Sequence, residues 1–237
     1  QSFSAFAGNP YFIDYRLLAA DDLLTADEIP AERPIGPIDY GALYNERPVI
    51  LKRQPTALLA APSPSYEAFC EAQSFWLEDY ALFMAVKAEQ GQAGLADWPD
   101  DLRCRKPEAI AAAKQRLAGA VDYYKAVQFF FYTQWNALKL TPTGKGVRVS
   151  VGDIPIYVSP DSSDLWTHPE LFQTDGEMHL TQVAGCPPDA FAADGQLWGN
   201  PLYDWPTHKA TGFAWWKRRM QHATSIYDVV RIDHFRG

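Results

Sequence analysis

The segment Val229-Val230-Arg231-Ile232-Asp233 carries two opposite charges on a run that is otherwise β-branched and apolar. Side chains alternate across a strand, so Val229, Arg231 and Asp233 share one face, and Val230 and Ile232 the other. A parallel strand buried on both faces should be apolar throughout. Here a charge pair occupies its C-terminal end, and in a β/α barrel that end feeds the loops lining the pocket. An Arg beside an Asp favours the ionised carboxylate. An ionised Asp held on a rigid strand is what a covalent nucleophile at a sugar anomeric carbon needs. An ion pair that only organises a core is the competing reading of the same residues.

A second candidate is the stretch 184–206, rich in Gly, Pro, Asp and Trp. It reads as a long loop, and long loops inside compact domains are usually functional or disordered. Phe191, Trp198, Tyr203 and Trp205 argue against disorder. Their flat faces suit the apolar faces of hexose rings, and Asp189, Gln196 and Asn200 could bond hydroxyls. Burial of those aromatics within the domain is the alternative. Asp153, Asp161 and Asp164 follow an expected strand at 147–151, a weaker signal, because Asp is common at strand ends and helix N-caps. His168, His179, His208 and His222 have no metal-ligand spacing, so neither metal nor cofactor is expected.

The elements that must position these residues follow from local patterns. Residues 1–62 hold many turn formers and read as loops with short helical turns. Ser63 suits an N-cap and Pro64 the first helical position. Phe69, Trp76, Tyr80 and Phe83 then share one helical face, with Gly91 as a C-cap. Further helices are expected from Pro107 and through Leu117, Val121, Tyr124, Val127, Phe131 and Leu138, so 63–140 is predicted helical. Strands are expected at 147–151 and 154–158, a helix over Phe213–Tyr227, and a last strand at 229–233. That β/α rhythm favours a parallel sheet.

The bulk composition narrows the partners. The 237 residues are 47% hydrophobic and 14% aromatic, enough for a substantial core. No apolar run approaches the ~20 residues that span a bilayer. Net charge is −8 and the Lys and Arg residues are scattered, which disfavours nucleic acid and fits neutral substrates such as sugars. Cys70, Cys104 and Cys186 are far apart and odd in number, so they read as reduced thiols of a cytoplasmic protein. The chain opens on Gln1 rather than Met and stops inside a motif, so it is read as an internal piece of a longer polypeptide.

Five ordered blocks carry a family resemblance: QSFSAFAGNPYFID at 1–14, TQWNALK at 133–139, GDIPIYVSPDSSDLWTHPELF at 152–172, VAGCPPDAFAADGQLWGNPLYDW at 183–205 and VRIDHFRG at 230–237. Together they resemble the amylomaltases, 4-α-glucanotransferases of the α-amylase superfamily. The resemblance implies an α/β fold, a partial (β/α)8 TIM barrel with helical insertions, missing the first strand and the strands after the nucleophile strand. On that view 15–62 is a loop-rich insertion, 63–140 a helical segment, and 141–237 the β/α part carrying the active-site loop.

The resemblance also implies a retaining double displacement that passes an α-1,4-glucan between malto-oligosaccharides, in cytoplasmic starch, glycogen or maltose metabolism. By motif match Asp233 is the nucleophile and Arg231 holds it ionised. Asp161, Asp189, Trp198, Gly199, Asn200 and His234 are the expected substrate-binding residues. Cys186 and Ala190 stand where the family more usually has Val and Tyr. The family's acid/base Glu lies on the strand after RIDHFRG, so this chain alone is expected not to catalyse transfer. An amylase-like hydrolase and a non-catalytic glucan-binding fragment are the alternatives, and the oligomeric state is not legible.

Overall fold

The structure is a computed structural model and describes residues 2–21, 23–30, 36–53, 55–140, 149–188, 190 and 193–235. Its helices up to the first strand are α1 (Tyr15–Ala20), α2 (Tyr40–Arg53), α3 (Pro55–Ala60), α4 (Pro64–Ala72), α5 (Leu77–Glu89), α6 (Asp100–Arg103), α7 (Pro107–Arg116) and α8 (Ala118–Leu140). There follow β1 (Val151–Pro155), α9 (Ser163–Thr167), β2 (Val183–Cys186), β3 (Gln196–Pro201), α10 (Trp205–Ala210), α11 (Ala214–Ile226) and β4 (Val229–Asp233).

Local chemistry sets many of these boundaries. Ser63 accepts from the Tyr66 amide and Pro64 opens α4. Gly91 adopts φ 65° just past α5, and Pro107 opens α7. Four expectations need correction. Phe69, Trp76, Tyr80 and Phe83 do not lie on one helix, because turns at residues 73–76 separate α4 from α5. Residues 1–62 are not mainly loop, because α2 runs for 14 residues straight through Pro48. A single strand at 151–155 replaces two strands at 147–151 and 154–158, although residues 141–148 lie outside the described ones. The stretch 184–206 is no open loop: β2 and β3 pair antiparallel within it, with Gly185 opposite Leu197 and Cys186 opposite Gln196.

The chain divides into two compact units. In the unit formed by residues 8–81 and 119–141, Tyr66, Phe69, Phe129 and Tyr132 pack ring against ring. Two glutamines of α8 each bind both backbone groups of one loop residue, Gln128 on Gly8 and Gln134 on Asp14. A Cβ at Gly8 would collide with the Phe131 ring, so only glycine allows the loop this close.

The other unit comprises 1–7, 82–118 and 142–237 and holds every strand described. Phe83, Trp98 and Trp166 form one aromatic cluster, with centroids 5.2–5.8 Å apart. A second cluster surrounds Tyr203, which touches Phe172, Trp205, His208, Trp215 and Trp216. Residues 3–6 are tied down by backbone bonds. Phe3 C=O accepts from Ser163 N–H, Ala5 N–H donates to Asp164, and His222 Nε2 bonds Phe6 C=O.

Candidate active site

The site is built on β1 and β4, which run parallel with Gly152 opposite Val230, Asp153 opposite Arg231 and Pro155 opposite Asp233. Gly152 is required there: a Cβ would enter the Tyr227 ring, just past the end of α11. The register sets Asp153 across from Arg231, so Arg231 meets two carboxylates. Its Nη2 donates to Asp233 Oδ1 at 2.8 Å, and its Nε lies 3.4 Å from Asp153 Oδ1. The hydrogen bond to Asp233, then the charges of Asp153 and Asp233, push the guanidinium still further toward its protonated form. The Arg231 and Asp233 side chains are 64% and 57% exposed in this chain.

The end of β4 meets the β2–β3 hairpin. His234 turns into the left-handed region at φ 55°, and its ring stands edge-to-face with Trp198 at 4.4 Å. Trp198 Nε1 donates to Gln196 Oε1 at 2.9 Å, fixing the indole on β3. Gly199 has φ 74° with open space where a Cβ would stand, so its backbone conformation, not crowding, calls for glycine.

The remaining expected site residues have other partners. Asn200 is buried, and its amide donates to Val158 C=O at 2.7 Å. Asp161 binds buried Lys87 Nζ at 2.6 Å and the Leu95 amide at 3.1 Å. Asp164 is buried, and desolvation raises its carboxyl from 3.8 to about 6. Asp189 and Phe191 lie outside the described residues.

Asp233, Arg231, His234 and Trp198 thus come together, with Asp153 as a fifth member that the sequence offered only weakly. The turn after β1 is held by residues that sequence reasoning missed or misassigned. Tyr203, read as a sugar-stacking candidate, is buried, and its hydroxyl donates to Ile156 C=O at 2.7 Å. Arg219 of α11, which the sequence did not single out, is buried and donates to the carbonyls of Pro155 and Ile156. A basic residue inside the helix that leads directly into β4 was the available signal. His208 and His222 bond the carbonyls of Leu171 and Phe6.

Comparison with known proteins places this geometry. The sequence profile of the 4-alpha-glucanotransferase family matches residues 1–237. The 4-alpha-glucanotransferase of Clostridium butyricum is 42% identical over 242 residues, covering 100% of this chain and 49% of the relative. That of Thermus thermophilus is 44% identical over 241 residues, covering 100% and 48%. The solved structure of the amylomaltase from Streptococcus agalactiae in complex with acarbose superposes with TM-score 0.92 at 38% identity, over 99% of this chain and 48% of that one. The chain therefore spans about half the length of the curated relatives it matches. A match along its whole length, at these identities, shows that the chain belongs to the 4-alpha-glucanotransferase family.

Proposed function

We propose that the protein carrying this chain is a 4-alpha-glucanotransferase that moves α-1,4-glucan segments between malto-oligosaccharides by a retaining double displacement. The observation that carries the reading is Asp233 at the C-terminal end of a parallel strand, bonded to Arg231, with His234 and Trp198 beside it. In the first step an Asp233 oxygen bonds to C1 of the donor glucose as the C1–O4 bond breaks. In the second, an acceptor hydroxyl displaces Asp233 from C1. Arg231 keeps the carboxylate ionised and oriented. Retaining chemistry needs a second carboxyl about 5–5.5 Å away to protonate the leaving oxygen and then activate the acceptor. The family resemblance puts that group after residue 237, on a (β/α)8 barrel of which this chain is part.

Trp198 and His234 are the ring surfaces offered to the donor sugar, and Gly199 lets backbone approach it. Asp189 is assigned to hydroxyl binding by its place in the motif, whereas Asp161 and Asn200 act through the backbone and side chain they hold. The acarbose complex of the Streptococcus agalactiae relative supports a carbohydrate ligand. Among the described residues no helix is long and apolar enough to cross a membrane; a cytoplasmic place in starch, glycogen or maltose metabolism is part of the proposal.

Incubation with maltotriose tests the reading. Glucose together with maltotetraose and longer chains is expected, with all products lost in Asp233→Asn. Glucose and maltose without longer chains would replace transfer by hydrolysis, and undiminished activity in the variant would remove Asp233 from the reaction. The 237-residue chain by itself is expected to yield none of these products.

A further inference from the structure

Arg219 carries no role in the scheme above, yet it is among the most deeply buried charges described, at 3% exposure. Its Nη2 donates to Pro155 C=O at 2.6 Å and its Nη1 to Ile156 C=O at 3.1 Å. Nη1 also donates to the Tyr203 hydroxyl at 3.3 Å, which in turn donates a hydrogen bond to Ile156 C=O at 2.7 Å. The guanidinium carbon lies 4.9 Å from the Trp216 ring centroid and 5.4 Å from that of Trp215. Ile156 is the pivot. Its carbonyl is held by Arg219 and Tyr203, and its N–H donates to the backbone carbonyl of Asp233 at 3.2 Å.

A buried guanidinium whose Nε finds no partner among the described residues is a costly way to fill a core. Apolar replacements of buried charges are often neutral or stabilising, so stability alone is a poor reason for Arg here. What Arg supplies and a point charge does not is a planar fork, able to hold two successive carbonyls in one geometry. We infer that Arg219 is a positioning residue for Asp233: by fixing the Pro155–Ile156 peptide carbonyls it sets the backbone to which the end of β4 is bonded, and with it the depth at which the carboxylate is presented. This rests on Asp233 being the nucleophile. Arg231 orients the carboxylate from the side, whereas Arg219 fixes the main chain beneath it. Reacting atoms must be placed within a fraction of an ångström, and a misplacement of about 1 Å costs on the order of 100-fold in rate.

The test is made in the full-length enzyme with Arg219→Met and Arg219→Lys. Two readouts are taken, maltotriose transfer kinetics and hydrogen–deuterium exchange resolved to the segment 151–158. Both variants are expected to lose roughly 10- to 100-fold in kcat with KM changed less than about two-fold. Exchange at the Ile156 amide should quicken while α8 exchanges as in the parent. Unchanged kcat in both variants, or unchanged exchange at Ile156, would overturn the inference. So would a general rise in exchange with kcat and KM both disturbed, which marks a purely structural residue. If Arg219→Met does not fold, Tyr203→Phe removes one hydroxyl from the same carbonyl and should show a smaller kcat loss with the same local exchange. An inactive parent enzyme would instead sink the transfer reading, and the exchange result alone would then decide whether Arg219 fixes the end of β4.

Discussion

Arg231 sits between two carboxylates, and its geometry separates it from a simple counter-charge. With one nitrogen 2.8 Å from Asp233 and another 3.4 Å from Asp153, it uses the fork of the guanidinium. A lysine ammonium cannot span both, so Arg231→Lys should lower transfer by about 10- to 100-fold with the charge conserved, read as kcat on maltotriose. Asp161 makes an opposite case. Its carboxylate pairs with Lys87, whose side chain is 4% exposed, so Asp161→Ala would leave a buried ammonium with only the carbonyls of Gln92 and Ala93 and no counter-charge. A loss of about 3 kcal/mol is expected in chemical denaturation, largely restored by adding Lys87→Met. A raised KM with unchanged stability would instead make Asp161 a direct sugar ligand. Asp164 predicts a pH dependence. Burial raises its carboxyl from 3.8 to about 6, so the folded protein holds the proton more tightly than the unfolded chain. The stability this lends is present below about pH 3.8 and lost as pH rises to about 6, amounting to at most about 3 kcal/mol. Asp164→Asn should therefore gain on the parent in Tm between pH 4 and pH 7. His222 acts with the opposite sign, since burial lowers its imidazole and its contribution is lost as pH falls.

At the scale of elements the hairpin β2–β3 is the feature least legible beforehand. Its strands are short, and β3 mixes Gln, Gly, Asn and Pro, so no alternation announces it. Pairing across the hairpin decides the matter, with Gly195 at φ 72° in the connection. A Cβ at Gly195 would meet the Cys186 carbonyl oxygen at 2.5 Å, and the left-handed backbone adds strain. Gly195→Ala should cost about 1–3 kcal/mol and loosen Trp198 from His234. Thermal unfolding checks the first effect and Trp fluorescence the second. An unchanged Tm would show that the connection can rearrange freely. The start of α4 was foreseeable from its cap at Ser63 and Pro64 alone. By contrast α2 was missed, because Pro48 and scattered polar residues mask a 14-residue helix.

For the molecule as a whole, charge is the property most readable from composition. A net charge of −8 with scattered cations fits a neutral ligand better than a phosphate backbone. Transfer kinetics should then be nearly insensitive to salt, with KM for maltotriose changing by less than about two-fold between 50 and 500 mM NaCl. A steep salt dependence would point to a charged substrate. The division into two units also belongs here: residues 1–7 join the strand-bearing unit, while the loop beginning at residue 8 packs with the helices of the other.

The sequence by itself determined the charge pair on its strand, the capped helices and the family blocks, because those depend on neighbours within a few residues or on long runs of matching motif. Only the tertiary structure decided which polar groups bond to distant parts of the chain. Asn200 and Tyr203 read as sugar contacts in one dimension, and Asp161 does so through the family resemblance. In three, Asn200 bonds Val158, Asp161 bonds Lys87 and Leu95, and Tyr203 bonds Ile156. Partners 42, 74 and 47 residues away set those bonds, and nothing local in the chain records them. The same holds for Arg219, where the need to satisfy two carbonyls at a strand end is created by folding alone.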